Sequence, residues 1–185
     1  MQRSRLRIAG IAGLLLFGAS CAHATRLRDE PQRHAPYFVE FRARPGGAFG
    51  HTYVVYGEMD GRRGIRHVHF AGLYPSGPFS QSIFLAVLPT TAEIAAEPVD
   101  HTRRPDVAYR RELSAAAYDH MVAGIQTLKR SKPGWHLMLY NCNDFAADVA
   151  RSIGLRVPST LQPPDNFIHD LDRMNRPGEP RRSSF

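Results

Sequence analysis

The fold of this chain is decided by residues 141–153, which read NCNDFAADVARSI. Asn141 is a favourable residue for capping the start of a helix, and Gly154 is a typical residue just past a helix end. On a helical wheel, one face collects the side chains of Cys142, Phe145, Ala146, Val149 and Ile153. This apolar face predicts a helix from about Cys142 to Ile153 that packs across a sheet.

The segments before this helix predict the strands of that sheet. Apolar and charged residues alternate from Tyr37 to Arg44, which is typical of a half-buried strand. Asp60-Gly61 is a hairpin signal between two runs rich in β-forming residues. Further strands are predicted at residues 51–56, 65–70, 82–88, 107–113 and 135–140.

Two more helices complete the predicted domain. Ser114 can cap a helix that runs to about Lys129, with apolar residues at helical spacing on one face. A last helix opens at residues 163–165 and runs to about Met174. The sequence therefore predicts one α+β domain over residues 37–175, with an antiparallel sheet covered by the helix of Cys142.

The N-terminus predicts export from the cytoplasm. Three arginines precede a run of about ten apolar residues, followed by the small residues Ala22 and Ala24. A membrane-spanning helix needs about 20 apolar residues, so residues 1–24 are interpreted as a cleavable signal peptide and no transmembrane segment is predicted. Lipidation at Cys21 is the alternative to cleavage after Ala24, and either location is periplasmic or secreted. Residues 25–36 are predicted to form a linker.

The charge of the chain argues against nucleic-acid binding. The formal net charge of +7 falls to +4 without the signal peptide, because the signal peptide holds three arginines and no acidic residue. Part of the excess lies in residues 176–185, a predicted disordered basic tail. No basic stripe interleaved with aromatic residues is present, so nucleic acid is not an expected partner.

Cys142 is the candidate nucleophile, because the other cysteine, Cys21, is lost or lipidated on export. A cap at Asn141 places Cys142 in the first turn of its helix, where backbone N–H groups and the helix dipole favour a thiolate. The same N–H groups can stabilise the oxyanion that forms when a carbonyl is attacked. The alternative is a buried thiol that serves as a small apolar side chain.

Three histidines on the predicted strands are candidate bases. His51 opens one strand, and His67 and His69 share a face of the next. A turn centred at Asp60-Gly61 places His51 opposite a residue near His69, and a shift of two residues would bring His67 there instead. A cysteine, a histidine base and a polar group that orients the base constitute nucleophilic catalysis. The three histidines could alternatively bind zinc or copper.

Two short motifs carry a resemblance to a known superfamily. Residues 50–56 read GHTYVVY and residues 141–145 read NCNDF. Their order resembles the circularly permuted branch of the papain-like cysteine hydrolases, which includes permuted bacterial cell-wall peptidase relatives, PPPDE peptidases and lecithin retinol acyltransferase-like proteins. The likeness extends over residues 37–160, and the chain departs from it at Asp144, where PPPDE proteins often have histidine.

The resemblance implies a permuted papain-like fold with Cys142 as nucleophile, His51 as base, and His69, in preference to His67, as the orienting residue. Together with the predicted signal peptide, it implies an exported cysteine hydrolase, either a peptidase or amidase or an acyltransferase, and no cofactor is expected. The implied partner is a peptide, amide or acyl substrate, and a peptidoglycan stem peptide is one candidate. Two other functions stay open. One is a catalytically silent papain-like module that binds envelope peptides or partner proteins, and the other is a periplasmic metal-binding protein.

Overall fold

The computed structural model of the chain describes residues 36–46, 50–60, 64–76, 88–131 and 133–176. The predicted signal peptide, residues 1–24, lies outside these ranges. So do the predicted linker apart from Pro36 and the predicted basic tail apart from Arg176.

Six strands of the described residues form one antiparallel sheet. The strands are β1 (Tyr37–Arg44), β2 (His51–Met59), β3 (Ile65–Pro75), β4 (Thr90–Ala95), β5 (Val107–Leu113) and β6 (Gly134–Trp135). Their order across the sheet is β5-β1-β2-β3-β4-β6, so β1, the first strand in the chain, lies in the interior of the sheet.

Four helices accompany the sheet within the described ranges, and the predicted α+β class with an antiparallel sheet is confirmed. The helices are α1 (Pro98–Thr102), α2 (Ala115–Ser131), α3 (Cys142–Ser152) and α4 (Pro164–Asn175). Helices α2, α3 and α4 pack on one face of the sheet, which we call the helix face. Phe145 and Val149 of α3 are buried there with Val54 of β2. Burial of each such side chain stabilises the fold by about 1.5–3 kcal/mol.

The opposite face of the sheet, which we call the second face, carries a smaller apolar cluster. Phe38, Tyr53 and Val55 are buried in this cluster, and Phe70 packs against it. The ring of Phe70 lies 4.1 Å from the ring of His101 in α1. The short helix α1 therefore covers part of the second face.

Two of the predicted strands are not confirmed over their predicted length. The predicted strand at 135–140 is wrong beyond Trp135: the chain turns back at once, and the N–H of Tyr140 donates to the carbonyl of His136 at 3.0 Å. Met138 and Leu139 are exposed in this turn, so their apolar character does not reflect a buried strand. Of the predicted strand at 82–88, residues 82–87 lie outside the described residues. Strand β4 and helix α1 lie in a stretch for which the sequence predicts no element.

Candidate active site

The N-terminus of α3 is closed by a reciprocal cap around Cys142. The N–H of Asn143 donates to Oδ1 of Asn141 at 2.8 Å, and the N–H of Asn141 donates to Oδ2 of Asp144 at 2.9 Å. This capping box satisfies N–H groups that a helix start leaves unpaired. The predicted cap at Asn141 is thus present, and Cys142 is the first residue of the helix.

The thiol of Cys142 lies against the start of β2. Burial raises its pKa, and hydrogen bonds from the backbone of Thr52, of Asn143 and of Cys142 itself oppose that rise. The residue as a whole is only partly buried. The sulfur of the candidate nucleophile is therefore within reach of several backbone amides, including one from the strand that carries the candidate base.

A buried side-chain bond fixes this approach of α3 to β2. Oγ1 of Thr52 donates to Oδ1 of Asn143 at 2.5 Å. Nδ2 of Asn143 donates in turn to the carbonyl oxygens of Thr160 at 3.0 Å and of Gln162 at 2.8 Å. Thr52 thus faces the helices, and alternation along the strand directs the side chain of its neighbour His51 to the second face.

His51 is buried on the second face among aromatic and charged residues. Its ring lies 4.2 Å from the ring of Tyr74 and 6.1 Å from that of Tyr53. Burial, with the positive charge of Arg44 as a smaller cause, lowers its pKa to about 3, so the imidazole is uncharged at neutral pH. Its Nε2 atom is buried without a hydrogen-bond partner among the described residues.

Thr52 therefore links the two candidate residues. Its backbone contacts the sulfur of Cys142, and His51 is the residue that precedes it in β2. No hydrogen bond joins the thiol to the imidazole within the described part of the chain. The structure brings the two residues to the same end of β2, but Cys142 approaches this strand from the start of α3, whereas the side chain of His51 extends from the strand to the second face.

His69 does not lie opposite His51, and the register predicted from a turn at Asp60-Gly61 is wrong. His69 pairs with Tyr56, while Tyr53 pairs with Gly72. The connection between β2 and β3 is longer than a two-residue turn, and a bulge between Tyr56 and Glu58 shifts the pairing again. Both changes move β3 along β2.

The same register separates His67 from the candidate site. Nδ1 of His67 lies 3.0 Å from Oε2 of Glu58 in an exposed pair at the far end of β2. His67 also has a φ of +46°, a left-handed backbone conformation beside the bulge. Neither His67 nor His69 is placed to orient His51. The described residues contain no group of three or more histidine, cysteine or acidic side chains that could hold a metal ion.

Residues that sequence reasoning missed surround His51 instead. Nε of Arg44 donates to Oδ1 of Asp100 at 2.7 Å, and the hydroxyl of Tyr74 donates to Oδ2 of the same carboxylate. Burial opposes ionisation of Asp100, but hydrogen bonds from Tyr74, Arg44 and the N–H of Glu97 outweigh it and keep its pKa below the usual value. Arg44 pairs directly with His51 across the β1–β2 ladder. Only the alternation of β1 and β2 could have indicated that these two share a face.

Comparison with known proteins adds no relative. No protein-family model matches the chain. Neither a curated protein nor a solved structure matches it. Among the described helices, none has the length and apolar character needed to cross a membrane.

Proposed function

We propose that the protein is a cysteine hydrolase that cleaves an amide, ester or thioester, with Cys142 as nucleophile and His51 as base. One observation carries the proposal: the buried hydrogen bond of 2.5 Å from Oγ1 of Thr52 to Oδ1 of Asn143 joins the residue after His51 to the residue after Cys142. A capped helix start and a buried histidine without a partner on Nε2 thus meet at one end of β2. This combination suits nucleophilic catalysis.

The chemistry that fits these residues begins from an uncharged pair. The sulfur of Cys142 attacks the substrate carbonyl carbon while its proton passes to the neutral imidazole of His51. N–H groups near the start of α3 stabilise the oxyanion. The imidazolium then gives its proton to the leaving amine or alcohol, and water releases the acyl group from sulfur with His51 again as base. The imidazole lies on the second face and no hydrogen bond joins it to the thiol in the described part of the chain, so this transfer requires the two groups to approach each other when substrate binds.

The permuted papain-like fold, the export of the chain and its substrate class belong to the same proposal. A predicted signal peptide supports a substrate outside the cytoplasm, for which a peptidoglycan stem peptide is the first candidate. The late position of Cys142 after the strand of His51 supports the permuted order of parts.

A catalytically silent module that binds envelope peptides or partner proteins is the second candidate. It is favoured by the missing hydrogen bond between thiol and imidazole and by a raised pKa of Cys142 together with a lowered pKa of His51. Both groups are uncharged at neutral pH, as in a site that does no chemistry.

Covalent acylation of Cys142 separates the two candidates. The purified protein is incubated with p-nitrophenyl acetate and, separately, with peptidoglycan stem peptides, and mass spectrometry follows the acyl adduct and the released products. We expect acylation and turnover in the wild-type protein and loss of both in Cys142→Ser and His51→Ala. His120→Ala removes an exposed histidine of α2 and serves as the matched control. A wild-type protein that binds stem peptides but never acquires an acyl group would establish the silent module.

A further inference from the structure

The imidazole of His51 lies over a glycine of the neighbouring strand. A Cβ atom at Gly72 would be 2.7 Å from Nε2 of His51 and 3.0 Å from Cε2 of Tyr74. Real Cβ atoms essentially never approach other atoms as closely as the first of these distances, so any side chain at Gly72 would displace the ring. The φ of Gly72 is not in the left-handed region, so the backbone conformation does not require glycine there. Glycine is needed at this position because the imidazole of His51 occupies the space that a side chain would fill.

Two residues on the neighbouring strands flank the imidazole of His51, and both are held by the same carboxylate. Arg44 of β1 pairs with His51, and Tyr74 of β3 lies with its ring 4.2 Å from the imidazole. Both bond to the carboxylate of Asp100, which is 1% exposed and comes from α1. The N–H of Glu97 donates to Oδ2 of Asp100 at 3.0 Å, so the carboxylate accepts a third hydrogen bond.

A buried ion pair with a third partner is expensive to desolvate and often stabilises a fold no better than apolar residues would. Its position beside a buried histidine suggests a task other than stability. The charged groups are held by each other and do not bond to Nε2 of the imidazole, which is buried without a hydrogen-bond partner among the described residues.

We propose that Asp100, acting through Tyr74 and Arg44, and Gly72, by leaving space, are positioning residues that hold the His51 imidazole in one orientation for the proposed hydrolysis. Tyr74 fixes one side of the ring, and Gly72 provides the surface on which Nε2 rests. Asp100 thereby takes the place that the sequence assigned to His69, although it acts on the base through a neighbour.

The test combines imidazole ¹⁵N shifts at pH 7 with steady-state turnover of p-nitrophenyl acetate. Gly72→Ala forces the ring to move, and Tyr74→Phe keeps the aromatic ring but removes its bond to Asp100. Gly124→Ala is the matched control, because a Cβ at that position of α2 would meet no atom within 4 Å. Assignment of the His51 signal comes from its loss in His51→Ala.

We expect the wild-type protein and Gly124→Ala to show one neutral tautomer of His51. Gly72→Ala should show a mixture of tautomers, and kcat should fall by about 100-fold with KM unchanged, as for a reacting group misplaced by about 1 Å. Tyr74→Phe should change both readouts in the same direction by a smaller factor, and it tests the idea even if Gly72→Ala does not fold. His51 shifts that match the wild type in both folded variants would overturn the proposal. Changed His51 shifts in a protein whose wild type hydrolyses nothing would support the positioning and overturn the hydrolase function.

Discussion

Thr52 and Asn143 share a buried hydrogen bond of 2.5 Å that ties the strand beginning at His51 to the helix beginning at Cys142. Both residues stand beside the candidate catalytic residues, within the motifs GHTYVVY and NCNDF, and the sequence predicts no role for either of them. The bond holds the backbone of β2 against the sulfur of Cys142. The geometry of the candidate site therefore depends on a contact between two polar side chains, 91 residues apart in the chain.

Thr52→Val should destabilise the protein by about 1–3 kcal/mol, because the buried Oδ1 of Asn143 loses the donor from Thr52. Urea unfolding of wild-type and variant proteins measures the difference. Thr127→Val, which removes an exposed hydroxyl of α2, is the control and should change stability by no more than about 0.5 kcal/mol. Equal changes in the free energy of unfolding for the two substitutions would show that the buried bond of Thr52 stabilises the protein no more than an exposed hydroxyl does.

The stability of the protein should decline in mild acid because of His51. Its pKa is about 3 in the folded protein and about 6.5 in an unfolded chain, so between these values the unfolded chain binds one more proton at this position. The free energy of unfolding should therefore fall as pH falls, by up to about 1.4 kcal/mol per pH unit below about pH 5.5.

Urea unfolding between pH 4.5 and 6.5 measures that slope, and His51→Gln should reduce it by the contribution of one proton. His120→Gln, at an exposed position of α2, is the matched control. The prediction is wrong if His120→Gln reduces the slope as much as His51→Gln does.

The thiol of Cys142 should react slowly with iodoacetamide at neutral pH. Burial raises its pKa, so the alkylation rate should reach half its maximum above about pH 8.5, the value of an ordinary cysteine. The rate is measured against pH in a Cys21→Ala chain, where Cys142 is the only thiol. Unfolding in urea should return the midpoint to about 8.5. A midpoint near pH 6 in the folded protein would indicate a preformed thiolate and contradict the uncharged pair.

Arg44→Met should destabilise the protein by about 3–5 kcal/mol, because the carboxylate of Asp100 would remain buried without its cation. Arg151→Met breaks an exposed ion pair with Asp148 on α3 and should cost less than about 1 kcal/mol. Thermal unfolding of both variants gives the comparison. A small effect of Arg44→Met would mean that water reaches Asp100.

Val149→Asp should prevent folding. Val149 is 2% exposed between α3 and the sheet, and an unpaired carboxylate there costs a large part of the 5–15 kcal/mol that stabilises an ordinary domain. Val68→Asp places the same charge at a position of β3 that is 41% exposed, and it should fold. Circular dichroism and urea titration distinguish the two. A cooperative transition at the wild-type urea concentration in Val149→Asp would contradict the packing of α3.

The sequence predicts the helices α2, α3 and α4 and the central strands well, because their signals are local. Asn141 caps α3 within its own first turn, and the apolar positions of α2 and α3 repeat at helical spacing. In β1 the alternation of apolar and charged residues is visible within eight residues. Such patterns need no knowledge of the rest of the fold.

The register of β2 and β3 could not be predicted in the same way. A bulge at Gly57 and a longer connection displace His69 by several positions, and neither leaves a signal as clear as an Asp-Gly turn. The bond between Arg44 and Asp100 joins residues 56 positions apart, for which spacing gives no clue. Helix α1, which supplies Asp100, has only five residues and follows a proline-punctuated stretch. The neighbours of His51 are thus set by tertiary contacts.

The interior place of β1 in the sheet has a consequence for how the chain acquires its structure. Strand β1 can pair with β2 as soon as residues 37–59 are available. Its other edge can pair only after β5 is available, because Tyr37 pairs there with Leu113, 76 positions later in the sequence. Until then one edge of β1 presents unpaired N–H and C=O groups to any other extended chain. Long-range pairing of this kind slows folding. Aggregation should therefore compete with refolding most strongly in chains truncated before residue 107, which retain the β1–β2 hairpin and lack the strand that closes it.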